Sequence, residues 1–288
     1  MPLSPVVCAL DLHAESEQAL VTAVELAARA DGPLHLVTVR PPSGPDEYRA
    51  PSDPEASVRA VVEVYVDRAL GAGACAEIAP QIAVARGGDP AADVLRYAAE
   101  VDAGAVVLGT HGRSGLQRFR LGSVAEDVVR RAPCPVLVVP NAGAGRGPGP
   151  EAPVLVPVDF SDFSARALGA GRELAALYDA PVRALHVVDR LSRASLAAAA
   201  AVTPVVPPEH APTEADLRDF AARSGVELDG AHVAEGGPAD EVVRHAASVG
   251  AGAVVMGTHG RGGVARALFG SVTEAALRRL RCPVLAVR

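Results

Sequence analysis

Lysine is absent: all 27 basic residues are arginine. The absence excludes a Walker-type phosphate loop, which needs its lysine, and Schiff-base chemistry by a lysine amine. Tryptophan is also missing and aromatics make up only 3% of the chain, while hydrophobic residues reach 49%. The core must therefore be built from Ala, Val and Leu, which suits buried parallel strands under covering helices. No uninterrupted apolar run approaches the ~20 residues of a membrane span. The formal net charge of −7 argues against nucleic acid as a partner, since that needs a basic face. Met1-Pro-Leu-Ser-Pro-Val enters a strand pattern without a charged region and long apolar stretch, so a cytoplasmic location is expected. Cysteine is sparse. Cys8, Cys75, Cys134 and Cys282 have no metal-ligand spacing and read as buried thiols acting as small hydrophobes.

What the chain does contain is a repeat. Gly109-Thr110-His111-Gly112, a nine-residue spacer and Gly122-Ser123 return as Gly257-Thr258-His259-Gly260, the same spacer and Gly270-Ser271, an offset of 148. The offset also relates Asp11 to Asp159, Pro90 to Pro238, and Cys134-Pro135-Val136-Leu137 to Cys282-Pro283-Val284-Leu285. A period this long means two copies of a domain, since solenoid repeats run only ~20–50 residues. Residues 1–140 read as the first domain, 141–152 as a Gly- and Pro-rich linker and 153–288 as the second.

Short apolar runs alternate with helical patterns. In the first copy, strands are expected at Val6–Leu10, Leu34–Val39, Glu77–Val84, Ala105–Leu108 and Val136–Val139. Helices are expected at Glu15–Ala30, Val58–Leu70, from Pro90 and at Ser123–Arg131. The second copy repeats the series at Val154–Val158, a helix from Ser164, Ala184–Val188, a strand near Gly230–Ala234, Ala253–Met256 and Val284–Val287. Arg190–Pro212 reads as a mobile loop, with Ala197–Ala201 as a helix start in an alternative reading. The class is α/β: a parallel sheet in each half, with helices on both faces.

The repeated segment suits phosphate. A buried strand delivers the chain to a glycine turn at its carboxyl end, where open parallel sheets bind ligands. Ser123 and Glu126, like Ser271 and Glu274, have capping-box spacing. A helix start presents free N–H groups and about half a positive charge, so it receives anions without lysine. Arg113 and Arg261 stand in the intervening loops as sources of countercharge. His111 and His259 invite an acid–base role, but no Ser-His-Asp or metal arrangement accompanies them in the sequence. They read as turn residues.

Both halves resemble the universal stress protein family, in its tandem form. The family's ATP motif is Gly, two residues, Gly, nine residues, Gly, then Ser or Thr. It is met at Gly109, Gly112, Gly122 and Ser123, and at Gly257, Gly260, Gly270 and Ser271. Asp11 and Asp159 match the Asp that ends the family's first strand. The resemblance implies an adenine nucleotide alpha hydrolase-like fold with two open five-stranded parallel sheets of order 3-2-1-4-5. It implies ATP as ligand, with Mg2+ held through the phosphates. Asp11 and Val39 would contact adenosine in the first site, Asp159 and Val187 in the second; Val124 and Val272 follow the motif serines. It implies a regulatory stress-response protein with little or no turnover, against the alternatives of a slow ATPase or nucleotide hydrolase and of an interaction module with vestigial sites. It further implies an intrachain pseudo-dimer through Val136–Val139 and Val284–Val287, and leaves room for a homodimer. The chain departs from the family at Gly104 and Gly252, where an Asp is common, and in Ala9-Leu10-Asp11-Leu12-His13, which lacks the Pro and Phe-Ser of the second copy. The adenosine half of the first site is therefore expected to be the weaker.

Overall fold

A computed structural model describes residues 2–13, 16–40, 54–110, 121–140, 147–189, 211–258 and 270–288. The chain divides into two units, Met1–Gly145 and Arg146–Arg288.

In the first unit the strands are β1 (Val6–Leu10), β2 (Leu34–Arg40), β3 (Gln81–Arg86), β4 (Ala105–Gly109) and β5 (Val136–Val139). Each pairs in parallel, β3 with β2, β2 with β1, β1 with β4 and β4 with β5, which is the order 3-2-1-4-5. Val6, Val7, Cys8, Val106, Val107 and Val136 are buried, because helices cover both faces of such a sheet. The helices are α1 (Glu17–Arg29), α2 (Pro54–Leu70), α3 (Ala74–Ile78), α4 (Pro90–Glu100) and α5 (Ser123–Arg131). On α1 the buried residues are Ala19, Leu20, Ala23, Leu26 and Ala27, an apolar stripe at helical spacing.

The second unit repeats the design with β6 (Val154–Pro157), β7 (Val182–Val188), β8 (Gly230–Glu235), β9 (Ala253–Gly257) and β10 (Val284–Val287). Its pairings again give the order 8-7-6-9-10, all parallel. Its helices are α6 (Asp162–Leu177), α7 (Glu214–Arg223), α8 (Pro238–Ser248) and α9 (Ser271–Arg279). Turns repeat with the same backbone strain. Asp31 and Asp179, 148 apart, take φ of 47° and 50° after α1 and α6, an αL conformation that Asp tolerates better than most residues.

Several sequence expectations shift. The third strand does not begin at Glu77; residues Ala74–Ile78 form α3. The Asp67 carboxylate accepts the Cys75 N–H at 2.8 Å, and Ala79 turns the chain at φ 49°. Pro80, which has no N–H to give a ladder, stands just before β3. Helix α2 begins four residues before Val58, at Pro54, a residue suited to a first helical position. Helix α6 begins at Asp162 because Ser161 caps it, accepting from the Ser164 N–H at 3.3 Å. Helix α1 begins at Glu17, two residues after the expected start. The segment Arg190–Pro212, apart from its last two residues, lies outside the described residues.

Candidate functional site

Strand order reverses between β1 and β4, and all five strand ends of a unit point the same way. The β1–β4 register of Val6 with Ala105 and Cys8 with Val107 carries Asp11 to the level of Thr110. The β1–β2 register of Leu10 with Thr38 places Asp11 beside Val39. In the second unit, Pro157 with Leu185 and Val154 with Ala253 place Asp159 beside Val187 and at the level of Thr258. The acidic residue, the second strand's end and the Gly-Thr pair that closes the fourth strand of each unit thus share one edge, at the switch point where such sheets hold ligands.

Each Asp is held by its own turn. The Asp11 Oδ1 accepts the Ser16 hydroxyl at 2.5 Å and the His13 N–H at 3.1 Å. The Ser16 hydroxyl is thereby spent on Asp11 and makes no cap for α1. The Asp159 Oδ1 accepts the Ser164 hydroxyl at 2.5 Å, the Ser161 hydroxyl at 2.5 Å and the Ser161 N–H at 3.1 Å. The Asp11 Oδ2 is buried with no hydrogen-bond partner among the described residues, an uncommon state for a carboxylate oxygen. The residues that follow, Leu12 and Phe160, take φ of 63° and 62°. A non-glycine αL residue costs roughly 1 kcal/mol or more, and the two copies carry that cost at the same place.

In the first unit Tyr65 of α2 reaches under this turn and donates its hydroxyl to the His13 carbonyl at 2.8 Å. Burial, then Glu17, raises the Tyr65 pKa and keeps the donor protonated. In the second unit His186 is buried and donates Nδ1–H to the Val158 carbonyl at 2.7 Å. Phe160 meets the His186 ring edge-on at 4.8 Å. Thr38 holds the His186 position in the first copy, so the two units brace the same strand end by different means.

The phosphate-type segment has a backbone clamp that the glycines alone did not announce. The Thr110 N–H donates to Val139 at 3.1 Å, and the Gly122 N–H returns to the Thr110 carbonyl at 2.7 Å. Thr258 repeats both bonds, to Val287 at 2.8 Å and from Gly270 at 2.9 Å. Thr110 and Thr258 are buried. Residues 110 and 122, and likewise 258 and 270, are therefore joined through one threonine. The first intrahelical bond of α5 runs from Glu126 to Gly122, and that of α9 from Glu274 to Gly270. The N–H groups of the first three residues of each helix accordingly have no intrahelical partner.

The expected capping boxes are not present. Gly122 and Gly270 are the N-caps, and as glycines they bring no side chain to cap either helix. Ser123 and Ser271 are the first helical residues and exposed. Glu126 and Glu274 instead accept Arg130 and Arg278, both at 2.6 Å, the four-residue spacing of a helical ion pair. A reciprocal box does occur at α7, between Thr213 and Asp216. Val124 is 38% exposed, and Val272 is half-buried in the first turn of α9. Gly109 and Gly257 end β4 and β9. His111, Gly112, Arg113, His259, Gly260 and Arg261 lie outside the described residues, and so does the Val39 side chain. The threonine clamp and the Ser16–Asp11 and Ser164–Asp159 bonds were missed by sequence reasoning. The identity of both Thr and Ser at the 148-residue offset was the signal available.

Gly104 and Gly252, the departures noted before the fourth strand, have a packing cause. A Cβ on Gly104 would overlap the backbone of Pro2 and Ser4, and one on Gly252 would lie 2.7 Å from the Gly147 carbonyl oxygen. Each glycine also donates to the proline before the unit's first strand, Pro5 or Pro153, at 2.9 Å. The cysteines are all buried. Burial pushes the Cys8 thiol far up and the Cys134 and Cys282 thiols up to about 11, so none is a ready nucleophile. Among the described residues no cluster of His, Cys, Asp and Glu could hold a metal ion, and no helix is long and apolar enough to cross a membrane.

Comparison with known proteins agrees with this architecture. A protein of Pseudomonas aeruginosa PAO1 superposes with a TM-score of 0.66 at 20% identity, covering 98% of this chain and 91% of its own. A universal stress protein of Archaeoglobus fulgidus superposes with a TM-score of 0.62 at 17% identity, covering 98% of both chains. In sequence, a universal stress protein of Mycobacterium tuberculosis H37Rv is 34% identical over 190 residues, 64% of this chain and 61% of the relative. The aligned chain thus spans about three fifths of that relative's length. The universal stress protein family model matches twice, at residues 3–140 and 152–288. Two matched copies, each a five-stranded parallel sheet of the same order with its Asp at the end of the first strand, place the chain in the universal stress protein family, with its adenine nucleotide alpha hydrolase-like fold.

Proposed function

We propose that the protein is an ATP-binding regulator with one nucleotide site in each unit and little or no turnover. The observation that carries the reading is the shared carboxyl edge: Asp11 with the clamped start of α5, and Asp159 with the clamped start of α9. The open N–H groups at each helix start suit a polyphosphate, each charge near such an end gaining about 0.3–1 kcal/mol. Arg113 and Arg261 supply countercharge in place of the missing lysine, and Mg2+ is held through the phosphates. Gly109, Gly112, Gly122, Ser123 and Val124 line the phosphate side of the first site. Gly257, Gly260, Gly270, Ser271 and Val272 do so in the second.

On the adenosine side Asp11 faces Val39 and Asp159 faces Val187. The buried, unpartnered Asp11 Oδ2 fits a carboxylate waiting for a donor, and a ribose hydroxyl is such a donor. The same reading pairs Val136–Val139 with Val284–Val287 within the chain, because an apolar strand edge is a pairing site.

Isothermal titration of the full chain with ATP and Mg2+ tests the proposal. Two nucleotides are expected per chain, recovered unchanged after long incubation. Absence of binding in the low-millimolar range sinks the reading, and protein-dependent release of phosphate removes the claim of little turnover.

A further inference from the structure

The first strand ends differently in the two units. In the first, β1 pairs with β4 up to Cys8 with Val107, and with β2 up to Leu10 with Thr38. In the second, the β6–β9 ladder stops one pair earlier, at Leu155 with Val254. The cause is Pro157, which stands where the first copy has Ala9 and has no N–H to give the next rung. The β6–β7 ladder also stops one pair earlier, at Pro157 with Leu185, although the Val158 N–H still reaches the Leu185 carbonyl at 2.8 Å. The strand end that carries Asp159 is therefore held less by backbone pairing than the end that carries Asp11.

A side chain takes over. His186 occupies the offset position of Thr38 and donates Nδ1–H to the Val158 carbonyl at 2.7 Å, at the point where the first unit's ladder continues. A carbonyl only accepts, so the ring carries a proton on Nδ1. The ring is buried, and Phe160 closes on it edge-on, backed by Phe220 of α7 at 5.3 Å. Val158 immediately precedes Asp159, and His186 immediately precedes Val187. One imidazole thus ties together the two strand ends whose next residues are the adenosine candidates.

We propose that His186 is a positioning residue of the second nucleotide site, taking the carboxyl edge of that unit as an ATP site. It fixes the Val158 peptide, and through it the direction in which Asp159 leaves the sheet. The Ser161 and Ser164 donors orient the carboxylate within its own turn; His186 references that turn to β7. In the first unit the backbone pair of Leu10 with Thr38 does the same.

The test titrates ATP and Mg2+ into the full chain carrying Gly122→Val, which leaves the second site to bind. His186→Leu removes the donor and leaves the Val158 carbonyl without its bond, and is expected to weaken ATP binding by about tenfold. His186→Asn, whose side-chain nitrogen stands where Nδ1 does, is expected to restore affinity to within about threefold. A role in packing alone would give the opposite order, since Leu is the better core residue. In an Asp159→Ala background, His186→Leu should cost no further affinity, because the residue acts through that carboxylate. In a Gly270→Val chain, which keeps the first site, His186→Leu should leave ATP binding unchanged. Unchanged second-site affinity in His186→Leu, no recovery in His186→Asn, or losses from His186→Leu and Asp159→Ala that add would each overturn the positioning role. A Gly122→Val chain that binds no ATP with His186 intact overturns the nucleotide reading itself, and the role with it.

Discussion

The Gly122 amide donates to the carbonyl of Thr110 at 2.7 Å, across the eleven residues 111–121 that separate them. Gly270 and Thr258 repeat the bond at 2.9 Å. Both ends of the motif segment are thereby pinned to one buried threonine, itself bonded to the end of the next strand. The helix start, and with it the set of open N–H groups, is fixed relative to the sheet whatever the segment between does.

Gly122 and Gly270 sit at φ of −62° and −59° with ψ of 147° and 132°, a region open to any residue. Valine at either position should leave the fold intact while its side chain occupies the mouth of the helix. We expect Gly122→Val to lower the ATP stoichiometry from two to one, Gly270→Val to do the same, and the double variant to bind none. Titration calorimetry reads the stoichiometry, and circular dichroism checks the fold. Lost secondary structure in the variants would mean that these glycines serve the fold instead.

Asp159 receives three donors on one oxygen and Asp11 two. Hydrogen bonds to a charged group contribute roughly 1.5–3 kcal/mol each at most, and less where water reaches them. Asp159→Ala should therefore destabilise by about 1 kcal/mol more than Asp11→Ala, read by urea denaturation. Both should weaken ATP binding in their own unit only.

How much of this was legible in advance depends on the distance over which the deciding forces act. The strand order followed from a family resemblance resting on glycine spacing, and the buried runs around Val7, Val107 and Val255 marked the central strands by composition. The capping boxes failed because Ser-x-x-Glu is also the start of a Glu-to-Arg ion pair. Which partner Glu126 takes depends on whether the helix begins at residue 122 or 123. Helix α3 was hidden because Ala74-Cys-Ala-Glu-Ile78 has no period long enough to read, and its start rests on an Asp67 contact eight residues back. The Thr110 clamp is a backbone bond, to which side-chain identity is nearly silent. The meaning of Gly104 became visible only when Pro2 and Ser4 were found packed against it.

Gly104→Ala and Gly252→Ala should test that packing. The added methyl would collide with backbone, which cannot swing aside as a flexible side chain would. We expect a loss of about 1–3 kcal/mol for each, as for overpacking elsewhere. Limited proteolysis should show the residues before β1 becoming cleavable in Gly104→Ala, and those before β6 in Gly252→Ala. Unchanged stability and cleavage would mean that these segments are free to shift.

Thiol reactivity follows from burial. Cys134 and Cys282 sit behind α5 and α9 with pKa values pushed up to about 11, and Cys8 lies in the central strand with no exposed surface. A thiol reagent at neutral pH should label none of the four cysteines rapidly in the native protein and all four after denaturation. Rapid labelling of Cys8 would show that the first sheet opens readily.

Acid should weaken both units through their histidines. Burial lowers the pKa of His35, which shares a 2.9 Å hydrogen bond with the Tyr97 hydroxyl. Burial, then His232, Arg244 and Arg183, lowers that of His245, with Glu241 acting the other way and Glu214 beside His232. A lowered folded-state pKa means that the unfolded chain binds more protons below about pH 6.5, the ordinary imidazole value. The stability these two groups confer is therefore full above that pH and lost as the pH falls through it. Melting temperature should be flat from about pH 7 to 8 and fall below about pH 6.5. His245→Tyr with His232→Ala installs the pair found in the first unit, Tyr97 and Ala83, and should make the fall shallower. Thermal melts at pH 5.5 and 7.5 for the two proteins decide the matter, since an unchanged slope would assign the acid sensitivity to other groups.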